Sequence, residues 1–377
     1  MKIVGIICEY NPLHLGHRKQ LRALQGEDRA VVCLMSGNYV QRGKPAILDK
    51  SLRAEAAVRC GADLVLELPV TAALSSAEGF AAKGVSILGG FCDNLCFGAE
   101  DPGEHLTQLA AALLSDPFRE ALRLQLDRGL SFPAARQAAL AEMGMDASSL
   151  SKPNNILAVE YCKAILGQKS AMEPMAILRE GSYHDTAPDP ENPSATALRA
   201  LMESEQNWQT YVPEEARSVF ENATLHALAA GERAVLARLR TMGDAEFEAL
   251  PFGSEGLWRK LMHEVRRQPD LESIAAAVKS KRYTRTRIDR MLLCAFLGLT
   301  QTDLDAPAPY ARVLAFNDRG REILKIARKT GHFPNAGEAV DHPYQAIETR
   351  IDDLYGLFAA GAPDAPGAER ARRVRYL

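Results

Sequence analysis

The stretch that decides the fold lies near the start of the chain and reads IICEYNPLHLGHRKQL, from Ile6 to Leu21. Residues 3–8, which overlap its start, are apolar and typical of a buried strand in a parallel sheet. A helix is predicted from about Leu15. Between strand and helix stand an Asn11-Pro12 turn and an H-x-G-H tetrapeptide at residues 14–17. The sequence therefore predicts a strand, a tight turn and a helix as the first unit of the fold.

The alternation of strand and helix continues through the first half of the chain. Apolar strands are predicted at residues 30–35, 63–68, 94–98 and 175–178, with helices at 50–60 and 76–88, across 104–143 with breaks at Pro117 and Pro133, and from about 155. The three prolines of residues 184–195 predict a loop. Short connections between alternating elements favour an α/β fold with a doubly wound, Rossmann-like parallel sheet.

Beyond about Met202 helical periods dominate and strand patterns fade, apart from one short strand predicted at residues 311–316. We therefore expect two domains, an α/β domain at residues 1–202 and a mainly α-helical domain at residues 203–377. The tail from Gly361 is rich in alanine, glycine and proline and then basic, so loose order is expected there.

Composition limits the classes of function. A net charge of −3 argues against a uniformly basic nucleic-acid coat, although it allows a local basic patch. The seven cysteines form no C-x-x-C pair, which favours a reduced, intracellular setting. No apolar run approaches the roughly 20 residues that a membrane span requires, and the N-terminus lacks a signal-peptide pattern. We expect a cytoplasmic protein with no membrane partner.

The H-x-G-H tetrapeptide suits phosphate chemistry. In open α/β sheets ligands bind at the carboxyl ends of the strands, and a helix N-terminus offers unpaired N–H groups to phosphate. Gly16 lets a phosphate approach the backbone, and His14 and His17 can donate hydrogen bonds to a pentavalent α-phosphate and a departing pyrophosphate. A histidine pair alone is more often surface or core, but this strand-turn-helix setting favours catalysis. No third Cys or His follows at a familiar spacing, so no protein metal site is expected.

The tetrapeptide resembles the signature of the H-x-G-H nucleotidyltransferase superfamily, whose members share α-phosphate chemistry. Later stretches narrow the resemblance: SGNYVQRGKPAILDKSLRAEAAVRCGADLVLELP (36–69), FGAE (97–100), KPNNILAVEYCKAI (152–165), LREGSYHD (178–185), SATALR (194–199) and KSKRYTRTRIDRMLL (279–293). In this order they resemble the bacterial tRNA(Met) cytidine acetate ligase family, from Lys2 to about Arg321.

The resemblance implies a HUP-type nucleotidyltransferase fold and a defined reaction. Acetate and ATP would form acetyladenylate, and the acetyl group would pass to N4 of the wobble cytidine of elongator tRNA(Met), with AMP and pyrophosphate released. His14 and His17 would be catalytic. Carried over by position, the ATP-binding residues would be Ile7, Cys8, Glu9, Tyr10, Asn11, Pro12, Leu13, His14, Leu15, Gly16, His17, Arg18, Lys19, Gln20, Gly98, one or both of Asn154 and Asn155, and Arg179 with Glu180.

Some of these positions have a second interpretation. Glu180 departs from the small or apolar residue expected after the arginine, so we expect it to contribute backbone atoms or to face away from phosphate. Asn154 or Asn155 can read an adenine edge or ribose, or can cap the helix that follows. Ser194, Thr196 and Arg199 resemble the superfamily's second signature, which holds the β- and γ-phosphates, but the same spacing also caps helices.

A basic stretch at residues 279–290 provides the expected RNA-binding surface. It concentrates cations opposed within the stretch only by Asp289, and Tyr283 can stack on a base. A solvated basic helix is the alternative, and a solvated loop is the alternative for Gln41 and Arg42. The expected tRNA-binding residues are Gln41, Arg42, Lys279, Lys281, Arg282, Tyr283, Arg285, Arg287 and Arg290.

Two other functions remain open at this point. A small-metabolite adenylyltransferase would share the H-x-G-H site but would not need the second domain. A non-catalytic RNA-binding protein with a relic nucleotide pocket is disfavoured by the intact His14, Gly16 and His17. Mg²⁺ is expected from the chemistry of ATP rather than from a visible carboxylate cluster. The residues that bind acetate, the base that assists cytidine N4, the residues that read the anticodon and the oligomeric state are left open.

Overall fold

The computed structural model describes residues 1–178 and 193–377. Its strands are β1 (Lys2–Cys8), β2 (Arg29–Ser36), β3 (Tyr39–Val40), β4 (Lys44–Pro45), β5 (Leu64–Leu68), β6 (Asn94–Ala99), β7 (Glu173–Leu178), β8 (Val313–Phe316) and β9 (Arg375–Tyr376). The helices of the first half are α1 (Leu15–Leu24), α2 (Lys50–Arg59), α3 (Val70–Ala73), α4 (Ala77–Leu88), α5 (Gly103–Leu114), α6 (Asp116–Asp127), α7 (Phe132–Glu142), α8 (Pro153–Gly167) and α9 (Ala195–Glu203).

The remaining helices are α10 (Glu214–Phe220), α11 (Leu228–Thr241), α12 (Asp244–Glu248), α13 (Leu257–Val265), α14 (Leu271–Val278), α15 (Arg285–Leu297), α16 (Gln301–Asp305), α17 (Asp318–Ala327), α18 (Tyr344–Tyr355) and α19 (Ala368–Ala371). Short 3₁₀ helices lie at Ser148–Ser151, Gln209–Tyr211 and Gly356–Phe358.

Seven of these strands form one sheet in the order β7-β6-β1-β2-β5-β8-β9. Strand β1 pairs in parallel with β2 and β6, β2 with β5, and β6 with β7, while β8 is antiparallel to β5. Side chains of β1 alternate between two apolar clusters, with Ile3 and Ile7 on one face and Val4 and Ile6 on the other. Helices cover both faces, which explains why the strand is apolar throughout. The predicted α/β fold with a parallel sheet is confirmed.

The predicted elements coincide with the observed ones along the described part of the first half. Pro117 and Pro133 lie in the first turns of α6 and α7, where a missing N–H costs no intrahelical bond, so both prolines start helices. The loop predicted at residues 184–195 lies largely outside the described residues.

The sheet extends past the expected domain boundary at residue 202. Strands β8 and β9 lie far beyond that boundary, yet β8 pairs with β5 and β9 with β8. The helices that precede β8, α11 to α16, pack with α18 around a separate apolar cluster that includes Phe247, Leu261 and Met291. The division at residue 202 stays a prediction, and a helical unit inserted before β8 describes the packing better than a purely C-terminal one.

The expectation of a loosely ordered tail is wrong. Arg372 binds Asp49 at 2.7 Å and Asp352 at 3.0 Å, and Glu369, only 2% exposed, binds Lys50 at 2.6 Å. Lys50 also binds Glu67 at 2.8 Å. Burial and the neighbouring carboxylates raise the pKa of Glu67 to about 7, although Lys50 opposes that shift. Partners distant in sequence therefore hold the tail against α2 and α18.

Among the described residues, the helices are all too short or too polar to cross a membrane.

Candidate active site

The H-x-G-H corner, residues 8–17, lies at the carboxyl end of the central strand β1. His14 is the residue before α1 and is 2% exposed, and its backbone N–H donates to Nδ1 of His17 at 3.3 Å. The two imidazole rings stack with centroids 3.6 Å apart and planes 24° apart. Tyr10 lies against His17, with ring centroids 4.9 Å apart. The structure thus brings both histidines together at the start of the helix.

The turn before the histidines is held from two sides. The Asn11–Pro12 peptide is cis, and the Asn11 side-chain oxygen accepts a hydrogen bond from the backbone of Ile47 at 2.8 Å. The backbone carbonyl of Asn11 accepts one from Arg199 at 2.7 Å. Burial and the like charge of Arg42 lower the pKa of the Arg199 guanidinium, while Glu9 opposes the shift. A cation therefore lies at the base of the turn and close to a second cation.

Arg53 is a site residue that sequence reasoning missed. It is fully buried, and its guanidinium donates to the carbonyls of Glu9 at 2.6 Å, Ser36 at 3.1 Å, Leu48 at 2.9 Å and Gly37. Glu9 follows β1, and Ser36 and Gly37 lie at the end of β2, so one side chain ties the two neighbouring strand ends together. Within the described residues all its hydrogen bonds go to carbonyls, and burial lowers the pKa of its guanidinium.

A signal for Arg53 exists in the sequence. Lys50, Arg53 and Ala57 recur at helical spacing on one face of α2, and all three are buried. Two cations on the buried face of a helix indicate that buried acceptor groups pair with them, because an unpaired buried charge is unfavourable.

Glu9 connects the corner to the next loop. One of its carboxylate oxygens accepts the backbone N–H of Gln41 at 2.8 Å. Gln41 follows the short strand β3, so the loop that carries Arg42 is fastened to the H-x-G-H corner. The sequence pattern placed these segments at neighbouring strand ends but did not indicate this bond.

The cysteines near the corner are poor nucleophiles. Burial and the neighbouring Cys33 raise the pKa of Cys8, and burial raises the pKa of Cys96 to about 11. A thiol with a raised pKa carries little thiolate at neutral pH. The arrangement does not favour a covalent acyl-enzyme on Cys8.

Other residues expected at the ATP site have partners within the protein. Arg18 binds Glu215 of α10 at 2.7 Å, and Gln20 donates to the sulfur of Cys96 at 3.7 Å. These contacts direct part of the first helix toward protein groups. Gly98 lies in β6, opposite Ile177 of β7.

Asn154 and Asn155 lie in the first turn of α8 and neither is its N-cap, which corrects the capping alternative. Asn155 is fully buried, and its amide bonds the backbone of Glu100 at 2.8 Å and both backbone and carboxylate of Asp101 at 3.2 and 2.8 Å. The Asn155 side chain therefore holds the turn after β6, and the Asn154 side chain donates to the Glu100 carboxylate at 2.7 Å. Glu100 accepts the backbone N–H groups of both residues and caps the helix.

The second expected phosphate signature is partly a helix cap. The Ser194 hydroxyl accepts the backbone N–H of Ala197 at 3.1 Å at the start of α9. The Thr196 hydroxyl accepts from Arg199 at 3.1 Å. Arg199 therefore reaches the H-x-G-H corner, while Ser194 caps its helix. Arg179 and Glu180 lie outside the described residues, as does His184.

Some cations of the basic stretch are paired with acidic residues, which the sequence of the stretch alone does not indicate. Arg282 binds Glu255 at 3.2 Å, and Arg285 binds Glu272 at 2.6 Å. Arg285 also binds Asp289 at 2.7 Å, and these carboxylates raise its pKa. Two acidic residues from outside the stretch thus neutralise part of its charge. Lys279 and Lys281 are exposed.

The expectation that Tyr283 stacks on a base is wrong for this conformation. Its ring is 9% exposed within the helical cluster, and its hydroxyl donates to the carbonyl of Glu255 at 2.7 Å. Arg287 bonds the carbonyl of Phe252 at 2.7 Å, and the guanidinium of Arg290 lies 4.9 Å from the centre of the Phe252 ring. These side chains bind the turn before α13 to α15.

Three buried carboxylates converge elsewhere in the described residues, at Glu67, Glu348 and Glu369. Lys50 binds Glu67 and Glu369, and Arg312 binds Glu348 at 2.7 Å. Because these cations already occupy the cluster, its donor set does not suit a divalent metal.

Comparisons with known proteins agree with this geometry. A family model described as HIGH Nucleotidyl Transferase matches residues 1–365. The tRNA(Met) cytidine acetate ligase of Clostridium novyi is 38% identical over 361 residues, covering 89% of each chain, and that of Clostridium acetobutylicum is 34% identical over 377 residues, covering 93% of this chain and 94% of the relative.

Two crystal structures of Thermotoga maritima TmcAL match over the whole of both chains. The apo form has a TM-score of 0.91 at 30% identity, and the form bound with alpha-thio ATP has a TM-score of 0.88 at 29% identity.

Proposed function

The chain belongs to the tRNA(Met) cytidine acetate ligase family of HIGH nucleotidyl transferases, and we propose that it uses ATP and acetate to acetylate the wobble cytidine of elongator tRNA(Met) at N4. The observation that carries the proposal is the stacked pair His14 and His17 at the start of α1, beside the end of the central parallel strand. That geometry suits phosphate chemistry. The acetyl acceptor, a cytidine of tRNA(Met), is inferred from the names of the relatives.

Two chemical steps are needed. An acetate oxygen attacks the α-phosphorus of ATP, the bond to the β-phosphate oxygen breaks, and pyrophosphate leaves. N4 of cytidine then attacks the acetyl carbon, AMP leaves, and N4 loses a proton. Acetate alone is a poor electrophile because oxide would have to leave, and AMP removes that obstacle as a good leaving group.

The residues of the corner have distinct parts in the first step. His14 and His17 donate hydrogen bonds where negative charge grows, on the α-phosphate and on the departing pyrophosphate. The N–H groups at the start of α1 and the nearby guanidinium of Arg199 add to that stabilisation. Arg179 and Asn154 are further expected contacts to ATP.

Mg²⁺ would enter with the triphosphate. It prefers oxygen ligands and usually keeps several waters, so it needs few protein groups. The converging carboxylates Glu67, Glu348 and Glu369 do not fit it, because Lys50 and Arg312 bind them. No reaction step is assigned to a protein-held metal.

Acetyl transfer requires tRNA, whose binding we assign to the basic stretch beyond residue 202 together with the loop at residues 41–42. The exposed Lys279 and Lys281 and the loop residues Gln41 and Arg42 are the expected contacts. Phosphate contacts of this kind supply affinity that falls with salt.

The proposal is tested by incubating the protein with ATP, labelled acetate and bulk bacterial tRNA, and by omitting each component in turn. Label should enter tRNA only when all three are present, and nuclease digestion should yield N4-acetylcytidine from the wobble position. Acetate-dependent exchange of pyrophosphate into ATP should occur without tRNA. AMP transfer to a small metabolite with no need for acetate or tRNA would instead identify a metabolite adenylyltransferase.

A further inference from the structure

The hairpin formed by β3 and β4, residues 39–45, touches both the H-x-G-H corner and α15. Its turn is closed by a hydrogen bond from the Gly43 N–H to the Val40 carbonyl at 2.9 Å. Its base is fixed by the hydroxyl of Tyr39, which donates to the carbonyl of Ile351 at 2.9 Å. The hairpin is thus hydrogen-bonded at its turn and at its base, and it follows directly from the carboxyl end of β2.

One residue at the tip bonds in both directions. The N–H of Gln41 donates to the Glu9 carboxylate at 2.8 Å, and its carbonyl accepts from Arg290 of α15 at 3.4 Å. Both bonds involve a charged partner, which strengthens them relative to neutral ones. A single peptide segment therefore connects the corner to α15, the helix that carries the second half of the basic stretch.

Gly43 sets how closely the hairpin approaches α15. A Cβ built on Gly43 would lie 2.5 Å from the carbonyl carbon of Asp289 and 2.8 Å from Cα of Arg290. Those are backbone atoms of a helix, which cannot turn aside as a flexible side chain can. To restore an ordinary contact of roughly 3.4 Å, hairpin and helix must separate by about 1 Å.

We propose that Gly43 is a positioning residue: by seating the 39–45 hairpin on α15, it sets the distance between the bound tRNA and the adenylating histidines. The inference rests on the proposed function, because it assumes that the second step uses an RNA held beyond residue 202. Transfer needs N4 within about 3–3.5 Å of the acetyl carbon, and a misplacement of 1 Å can cost about 100-fold in rate. Adenylate formation uses the corner and the other residues expected to contact ATP, none of which lies on α15, so it does not depend on that distance.

The chain contains a matched control for backbone strain. Gly43 has φ +74° and Gly144 has φ +73°, and a Cβ on Gly144 would meet nothing within 4 Å. Alanine therefore has the same unfavourable backbone conformation at both positions. Only the alanine at position 43 meets α15.

The experiment compares Gly43→Ala with Gly144→Ala in the full-length protein. Two rates are measured: acetate-dependent pyrophosphate exchange without tRNA, and single-turnover acetyl transfer to tRNA. We expect Gly43→Ala to keep exchange within about threefold while transfer falls by about 10- to 100-fold. Gly144→Ala should keep both rates within about threefold of the parent.

A transfer rate in Gly43→Ala equal to that in Gly144→Ala would overturn the inference, as would equal losses of exchange and transfer in a folded Gly43→Ala protein. If circular dichroism shows that Gly43→Ala does not fold, Gly43→Asn replaces it, because asparagine tolerates positive φ yet carries the same Cβ. A parent protein without acetate-dependent exchange would instead refute the proposed function, so the two failures are distinguishable.

Discussion

The H-x-G-H corner and the basic stretch at residues 279–290 are both short in sequence and rich in phosphate-binding groups, yet the fold treats them differently. In the corner, neighbours in sequence touch each other, as the stacked rings of His14 and His17 do. In the basic stretch, Arg282 and Arg285 turn to Glu255 and Glu272 from other segments. The geometry of a motif made of sequence neighbours is kept in the folded protein. The charge that a basic cluster presents to solvent depends on which acidic residues the fold places beside it.

The largest effect is expected at the corner. His17→Ala should lower acetate-dependent pyrophosphate exchange by about 10²- to 10³-fold, because it removes a donor to charge that develops in the transition state. The loss of the acceptor for the His14 N–H should cost only about 1 kcal/mol of stability.

His263→Ala is the control, since His263 is an exposed histidine on α13. Its exchange rate should match the parent. If His17→Ala kept the rate of pyrophosphate exchange within tenfold of the parent rate, His17 would have no catalytic part in adenylate formation.

The next effect concerns Arg53. Arg53→Lys keeps the charge but lacks the fork that reaches several carbonyls at once, so carbonyls after β1 and β2 lose donors. We expect exchange to fall by about tenfold, mainly in kcat, because the strand ends hold the corner in place for the reaction.

Arg59→Lys on the same helix is the matched control, because the half-exposed Arg59 pairs, among the described residues, only with Glu55. Steady-state exchange kinetics would measure both variants. Equal kcat values for the two would show that Arg53 has no special part in holding the corner.

A smaller effect is expected in the basic stretch. Replacing Lys281, Arg282 and Arg285 together by alanine should weaken tRNA binding and lower the slope of log K against log salt by less than three, since each free phosphate contact contributes about one. Glu255 and Glu272 already satisfy two of the three cations.

The converse variant sharpens the comparison. Glu272→Gln should remove one of the two carboxylates that bind Arg285 and tighten tRNA binding by up to about threefold, in line with the small energy of an exposed ion pair. Filter binding across a salt series would measure both variants, with ATP affinity as the control. A slope change of three in the triple variant would mean that the ion pairs open when RNA binds.

The smallest effect is expected at Cys8. Cys8→Ser should keep both partial reactions within about threefold, because burial and Cys33 raise the pKa of the thiol and leave little thiolate. Mass spectrometry of enzyme quenched during turnover without tRNA should show no added acetyl group. An acetyl adduct on Cys8 would replace the noncovalent acetyladenylate by an acyl-enzyme.

The local elements of the fold could be predicted from the sequence because their causes are local. Apolar runs bounded by turns mark β1, β2, β5 and β6, and the three-residue spacing of His14 and His17 puts them in one helical turn. The contacts of the Asn155 side chain with Glu100 and Asp101 could not be predicted from the sequence, because those partners lie more than 50 residues away.

Hydrophobic period and helix spacing act over a few residues, so the strand-turn-helix corner, the parallel sheet and the class of phosphate chemistry follow from the amino-acid sequence alone. Which charges are free and which segments hold the corner depends on contacts between residues far apart in the chain. Arg372 reaches Asp49 across 323 residues, and Gly43 meets Asp289 and Arg290 from the far end of the chain. The effect of a charge or of a close backbone approach depends on the group that lies against it. A local sequence pattern does not identify a partner so distant in sequence.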